Sequence, residues 1–361
     1  MTPRLYYDPV NTARVEVHQI RVVGQNVAVR ELEGSVVHNS TSALEHAWHA
    51  VLQTSELGDE PVQVWLLGRP WCLVRTENGR LAGWADRCPH RLAPLSAGRV
   101  KGDGIQCGYH GWTFASDGRC TTIPATETAP PARAAVEIPW GLQERHGLVW
   151  MAPAEPACEL LEFPEWDDPE FVTGFSEVVR TRAGAALLVD NFLDAAHFPF
   201  VHAASFGVPD AARVLDDGIR REGWTVETVF QTWYREGGAV QRQLLTKKGS
   251  ASLTVRLRLD FPDTGAVIAI LFSCTPERPG QSRVYKLLAR NDLGSDSAAL
   301  KEFIAEEDQI LREDLAILER FDHEALPLDR TLELHTRADR LSLAWRSVLA
   351  DMVAAYDRPR P

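Results

Sequence analysis

Cys88-Pro89-His90-Arg91-Leu92 and Cys107-Gly108-Tyr109-His110-Gly111-Trp112 are the two stretches on which the reading of this chain turns. Each offers one thiol and one imidazole in a short loop, with sixteen residues between His90 and Cys107. Two thiolates on one iron and two neutral imidazoles on the other suit a two-iron, two-sulfur cluster, with a potential far above that of an all-cysteine cluster. Zinc accepts the same four ligands, but usually as Cys-x2-4-Cys and His-x3-5-His pairs rather than one of each per loop. The spacing therefore favours a [2Fe-2S] cluster on Cys88, His90, Cys107 and His110, with a zinc-stabilised binding module as the competitor.

Outward from these loops the sequence reads as β structure. Short apolar runs at 62–67, 71–75, 81–84, 105, 113–114 and 148–151 are separated by turn signals: Asn78-Gly79, Lys101-Gly102-Asp103-Gly104 and Asp117-Gly118. An all-β module ending near residue 152 follows. Upstream, Val and polar positions alternate from Val15 to Val29, which predicts a strand pair or packed arm within residues 1–44. A Pro-rich acidic stretch, residues 153–169, reads as a linker. Beyond it come a helical pattern from Ala185 to His202, strand-like runs between about 222 and 290, and two further helices over 297–321 and 338–356. This order predicts an α+β second half, an antiparallel sheet covered by helices.

Composition narrows the function. At 361 residues, 45% apolar and 24% charged, the chain is ordinary for a globular protein of two domains. A net charge of -12 argues against a nucleic-acid or acidic membrane surface. No signal-peptide run opens the sequence, and the longest apolar stretch, 265–274, is too short to span a bilayer, so a cytoplasmic protein is expected. Cys72, Cys120, Cys158 and Cys274 lack pairing spacing and read as buried thiols. His46, His49, His146, His323 and His335 lack ligand partners at useful spacing and read as ordinary histidines. No GxGxxG or Walker loop is present, so reducing power from NAD(P)H would have to arrive through another protein.

A second constellation, Asn191-Phe-Leu-Asp194-Ala-Ala-His197-Phe-Pro199-Phe-Val-His202, gathers an amide, a carboxylate and two imidazoles. Histidines five apart on a regular helix point about 140° away from each other. A break is needed for both to reach one metal, and Pro199 is expected to supply it. Two histidines and a carboxylate make the facial triad of non-haem Fe(II) oxygenases, although a histidine pair in an apolar helix is commonly just packed.

With both motifs in this order, residues 45–361 resemble the catalytic α subunit of the Rieske non-haem iron oxygenases. The vanillate and dicamba demethylase and aminopyrrolnitrin oxygenase types are similar in length and spacing. The flanking Tyr109-His110-Gly111-Trp112 and Gly147-Leu148-Val149-Trp150 agree. The resemblance implies a Rieske [2Fe-2S] domain over 45–152 and a catalytic domain of helix-grip, START-like form over 153–361. It implies mononuclear Fe(II) on His197 and His202, and Asp194 as a carboxylate bridging to a cluster histidine of the next subunit in a homotrimer. Asn191 corresponds to an amide near the iron, with Asp190 as the alternative. For the third iron ligand, the resemblance takes Phe303-Ile-Ala-Glu-Glu307-Asp308-Gln-Ile310-Leu311 as the match to the family signature Phe-x-x-Glu-Asp-x-x-Ile-Leu, which implies Asp308, with Asp314 and Glu307 behind it.

Two departures stand out: Gly108 replaces the usual proline, which implies a looser cluster loop, and the Glu-x-Gln-Gln tail after the late acidic motif is missing. The implied activity is O2-dependent hydroxylation or oxidative demethylation of a small, largely apolar aromatic or alicyclic substrate, with monooxygenation ahead of cis-dihydroxylation. The strands between 222 and 290 and the loop over 205–215 are expected to line its pocket. Electrons would come from an NAD(P)H reductase and possibly a ferredoxin, for which Arg91 and Lys101 offer a docking patch. The rival reading is a Rieske electron carrier with an added domain and no oxygenase chemistry.

Overall fold

In the computed structural model, residues 36–208, 218–236, 238–294 and 297–356 are described. The strand pair expected at Val15 to Val29 and most of the 205–215 loop lie outside them.

The N-terminal part consists of short antiparallel strands: β1 (Val36–Val37), β2 (His49–Gln53), β3 (Val62–Leu66), β4 (Arg69–Arg75), β5 (Leu81–Ala85), β6 (Arg99–Lys101), β7 (Gly104–Gln106), β8 (Thr113–Ala115), β9 (Cys120–Thr122), β10 (Gly141–Arg145) and β11 (Leu148–Ala152). β2 to β11 form three sheets, ordered β3-β4-β5, β6-β7-β8-β9 and β10-β11-β2, so the last strand closes back on an early one. The turn at Asn78-Gly79 forms as its sequence predicts. Gly79 sits at φ 76°, in the left-handed region that glycine adopts without strain, and its N–H donates to the Thr76 carbonyl at 2.8 Å.

The second half is organised by one large antiparallel sheet. Its strands are β12 (Val172–Phe175), β13 (Val179–Thr181), β14 (Arg220–Glu222), β15 (Thr225–Glu236), β16 (Ala239–Ser250), β17 (Thr254–Phe261), β18 (Ala266–Arg278) and β19 (Gln281–Arg290). β14 to β19 run as a meander, and β12 and β13 both pair with β19. The helices are α1 (Ala185–Leu193), the single turn α2 (Phe198–Val201), α3 (Ser297–Leu318) and α4 (Arg340–Tyr356). β20 (Leu326–Pro327) pairs with β1.

The apolar run at 265–274 is explained by burial of both faces of β18. Ile268, Ile270, Phe272 and Cys274 face the core made with Leu188, Trp345 and Leu349 of the helices. Ala269 and Leu271 point the other way, into a cluster with Trp48 and Trp150 around β2 and β11. The large sheet is thus sandwiched between its helices and the N-terminal β module. Each large apolar side chain buried this way contributes about 1.5–3 kcal/mol.

The helix expected over 185–202 is broken earlier than proline would break it. Asp194 leaves α1 in extended conformation, and its carboxylate accepts the Ala196 N–H at 2.9 Å and the His197 N–H at 3.3 Å. Pro199 lies in the first turn of α2, where a missing N–H removes no intrahelical bond. The break therefore comes from aspartate capping the new turn, not from Pro199. Of the four cysteines expected to be buried thiols, Cys72 and Cys274 are buried, while Cys120 and Cys158 are half-buried.

Candidate metal centres and active-site pocket

The two cysteine–histidine loops are built alike. The Cys88 N–H donates to the Ala93 carbonyl and the Cys107 N–H to the Trp112 carbonyl, both at 2.8 Å. The Cys88 carbonyl accepts from Leu92 N–H, and the Cys107 carbonyl from Gly111 N–H. Leu92 at φ 60° and Gly111 at φ 71° close the two turns in the same left-handed conformation. Asp86 ties down the first loop by accepting from the Ser96 N–H at 2.7 Å and from the Ser96 hydroxyl at 2.6 Å. The second loop is not loosened by Gly108, because a Cβ there would stand 2.6 Å from the Ala97 carbonyl oxygen. The glycine lets the chain pass close to its neighbour.

The four side chains converge. Cys88 and Cys107 are 1% and 2% exposed, and the His90 and His110 ring centroids are 4.4 Å apart. Trp112 stacks flat on His90, with 6° between the ring planes. His90 Nδ1 is buried without a hydrogen-bond partner, as expected of an atom reserved for a metal. Burial above all pushes the Cys88 thiol up to about 11, so a bound metal must hold it as thiolate. The donor set fits a [2Fe-2S] cluster.

The second site lies where α1 breaks and α3 crosses. His197, His202 and Asp314 offer ligand atoms all within 4.8 Å of one another. Asp314 Oδ1 faces His197 Nε2 at 3.4 Å and His202 Nε2 at 3.2 Å, and it lacks a hydrogen-bond partner of good geometry. Each histidine is oriented from behind: His197 Nδ1 by Asp194 Oδ2 at 2.9 Å, His202 Nδ1 by Glu313 Oε2 at 2.8 Å. Ser205 Oγ also donates to Glu313, at 2.9 Å. With both Nδ1 atoms donating to carboxylates, both Nε2 lone pairs are free for one metal ion, the outer-sphere arrangement that metal-binding histidines use. Burial raises the carboxyl pKa of Asp314, but the facing imidazoles of His197 and His202 outweigh it and hold it well below the usual carboxylate range. For His197 burial disfavours the charged ring, and Asp194 and Asp314 overcome that to raise its pKa. These residues fit a two-histidine, one-carboxylate iron site.

Asp308 does not join this site. Its Oδ1 accepts the Glu177 N–H at 3.0 Å, toward the connection between β12 and β13. The buried stripe of α3 runs through Phe303, Glu307, Leu311, Asp314, Leu315 and Leu318. Asp308 is six residues from Asp314, about 240° around the helix. The sequence held the signal: Glu-Asp-x-x-Ile-Leu occurs at Glu313-Asp314-Leu-Ala-Ile317-Leu318, whereas only one residue separates Asp308 from Ile310. Asp190 is also elsewhere, held by the Arg346 guanidinium at 2.9 and 2.7 Å. Asn191 lies on α1, where its carbonyl accepts the Asp194 N–H, and it is not part of the pocket wall.

His197, His202 and Asp314 line a cavity that is partly open to solvent. Its wall is mainly apolar, with Phe192, Phe198, Phe206, Leu245, Leu259 and Phe272 among its residues. Between 222 and 290, β15 to β19 all contribute side chains, as does Phe206 from the loop after α2. Lys247 is fully buried in the wall, donating to the Leu193 carbonyl at 3.2 Å and the Asp194 carbonyl at 3.0 Å, with Nζ 4.9 Å from the Phe198 ring. Burial, opposed by Asp194 and Asp314, lowers its pKa to about 8. Neither Lys247 nor Glu313 was legible beforehand, since a strand lysine and one acid among many carry no pattern of their own.

Comparison with known proteins agrees with both halves. Residues 47–138 match the Rieske [2Fe-2S] domain, and residues 181–355 match the vanillate O-demethylase oxygenase C-terminal domain. The chain is 33% identical to the putative toluene-4-sulfonate monooxygenase system iron-sulfur subunit TsaM2 of Comamonas testosteroni over 53% of its own length, and spans 56% of that relative. It is 26% identical to methylxanthine N1-demethylase NdmA of Pseudomonas putida, over 90% of this chain and 93% of that one. The fold is similar to the structure of NdmA from Pseudomonas putida CBB5 with caffeine, at TM-score 0.76 and 23% identity, covering 90% of this chain and 99% of that one. No described helix is long and apolar enough to cross a membrane.

Proposed function

We infer that this chain, which belongs to the Rieske non-haem iron oxygenase α subunits, hydroxylates or oxidatively demethylates a small, largely apolar aromatic or alicyclic molecule using O2. The observation that carries this reading is the meeting of His197, His202 and Asp314 at the end of an apolar cavity, in the same chain as a cysteine–histidine cluster site. An electron carrier has no use for that cavity. Relatives named as a monooxygenase subunit and an N-demethylase support monooxygenation over ring dihydroxylation.

When bound, the cluster supplies single electrons and the iron activates O2. The chain's own groups prepare the setting. Asp194 and Glu313 fix the tautomers of His197 and His202, and Asp314 contributes the negative charge. Lys247 pins the carbonyls of Leu193 and Asp194, which holds the α1 break in place. The aromatic wall excludes water from the reacting carbon. Insertion of one oxygen atom into a methyl C–H next to N or O gives a carbinol that breaks into formaldehyde and the demethylated product. The other oxygen atom leaves as water, using two electrons and two protons.

Those electrons come from a separate NAD(P)H reductase, directly or through a ferredoxin. Tyr109, 66% exposed, packs against His110, and Leu92, Arg91 and Lys101 are exposed on the same domain and available for docking. We also propose a head-to-tail homotrimer. His110 is exposed, and Asp194 keeps 27% of its side chain accessible beyond its contact with His197, so each can meet a neighbouring copy.

Purified protein with a surrogate reductase, screened over methoxy-, N-methyl- and methyl-aromatics, is expected to couple O2 uptake to product detectable by mass spectrometry. His197→Ala should keep the visible cluster spectrum and lose the product. Full activity in that variant would overturn the assignment.

A further inference from the structure

The cavity has one polar group in its wall that the oxygenase reading leaves unexplained. Gln243 is 2% exposed, lines the cavity, and its Oε1 is buried with no hydrogen-bond partner. A buried amide oxygen left unpaired is costly, so a native site that keeps one has a partner in use. The other polar groups in the wall are engaged. Lys247 donates to two backbone carbonyls. Lys286 donates to the Glu307 carbonyl at 2.7 Å and pairs with its carboxylate. His197, His202 and Asp314 face one another.

Position adds to this. Gln243, Leu245 and Lys247 alternate along one face of β16, so Gln243 stands two strand repeats from the lysine that packs beside Asp194, about 13 Å of strand rise. Leu245 and the paired Leu259 lie between. A molecule filling the cavity would therefore meet a hydrogen-bond acceptor at one end and the triad at the other, with hydrocarbon between them. Since both lysines among the described residues of the wall already have partners, those residues offer no uncommitted cation to a carboxylate or sulfonate.

We propose that Gln243 is the specificity-determining residue of the pocket, and that the substrate is a neutral aromatic bearing an N–H or O–H donor at the end remote from the carbon that is oxidised. The proposal rests on reading the cavity as the substrate pocket. It goes further in choosing the substrate's polarity, its charge and its orientation in the pocket. An amide can present its oxygen to a donor or its NH2 to an acceptor. The buried, unpaired atom is the oxygen, which selects the donor-bearing class.

Binding of three probes to the full-length holoprotein, measured by calorimetry, tests it: indole, its donor-free analogue indene, and indole-5-carboxylate. Indole is expected to bind about tenfold more tightly than indene, the effect of one satisfied buried hydrogen bond, and more tightly than the carboxylate. Gln243→Met, which keeps the volume and removes the amide, is expected to bring indole and indene within about twofold of each other. Equal binding of indole and indene by the unaltered protein, tighter binding of the carboxylate, no binding of indole, or an unchanged preference in the methionine variant would each overturn the proposal. The wild-type comparison decides even if the variant does not fold. Because this readout needs neither O2 nor electrons, donor preference without turnover would count against the oxygenase reading alone, and turnover without donor preference against Gln243 alone.

Discussion

Asp314 and Asp308 differ by six positions on one helix and by everything that makes a carboxylate a ligand. Asp314 is on the buried stripe with an oxygen facing two imidazoles, whereas Asp308 caps a backbone N–H on another face. Asp314→Asn is expected to weaken mononuclear iron binding at least roughly a hundredfold, beyond the 10–100-fold typical of losing an outer-sphere partner, while the cluster absorbance stays. Asp308→Asn should leave iron content unchanged and cost about 1–2 kcal/mol through its bond to Glu177. Iron analysis of both variants beside the visible spectrum checks this, and iron loss in the Asp308 variant instead would reverse the assignment.

A histidine outside the sites gives a second prediction at this scale. His49 is 1% exposed, with its ring bonded to the Leu44 carbonyl at 2.8 Å. Burial lowers its pKa from 6.5 to about 4. The unfolded chain therefore takes up this proton first as pH falls, so the stability from the neutral ring is complete above about pH 6.5 and is lost between 6.5 and 4, on the order of 3 kcal/mol. Denaturant unfolding at pH 7 and pH 4.5 is expected to show this loss, and His49→Phe should flatten it. An equally steep pH dependence in the variant would count against it. Nothing in the sequence around His49 marks a proton-linked residue, since the shift comes from burial created by β11 pairing with β2.

At the scale of the element, the decisive feature is the interruption between α1 and α2. The residue pattern required a break for His197 and His202 to converge, and that much was legible, but its cause was not. Proline is the visible helix breaker in the sequence, whereas the capping carboxylate of Asp194 acts through bonds that only the folded turn reveals. The strands were more readily legible, because alternation in Thr254–Phe261 and the Asn-Gly and Gly-Asp-Gly turns are local signals. The third ligand depended on which face of α3 meets α1, a tertiary choice that acidic spacing alone does not make.

The turn after α2 supplies a test. Gly207 donates its N–H to the His202 carbonyl at 2.8 Å, and a Cβ there would stand 2.3 Å from the Phe198 carbonyl oxygen and 2.7 Å from that of His202. Gly207→Ala must push this turn outward, at a cost of about 1–3 kcal/mol. It is expected to lower iron retention on dialysis while the cluster spectrum is unaffected. Unchanged iron retention would show that the turn after α2 does not hold His202 in place.

For the whole molecule, the large sheet packs on the N-terminal β module that carries the cysteine–histidine loops, through the cluster of Trp48, Trp150, Leu271 and Leu287. In the proposed trimer the two sites are joined functionally. Light scattering of the purified protein is expected to give three times the chain mass, and an active monomer would contradict the shared path. The central claim is that Asp194 links a cluster in one chain to an iron site in the next. The measurement that tests it most directly is a single turnover of the pre-reduced protein with O2, following cluster oxidation and product together in wild type and Asp194→Asn. Both metal centres are expected to persist in the variant while cluster oxidation and product formation slow together by about 10–100-fold; unchanged rates with both centres present would rule out Asp194 as the link.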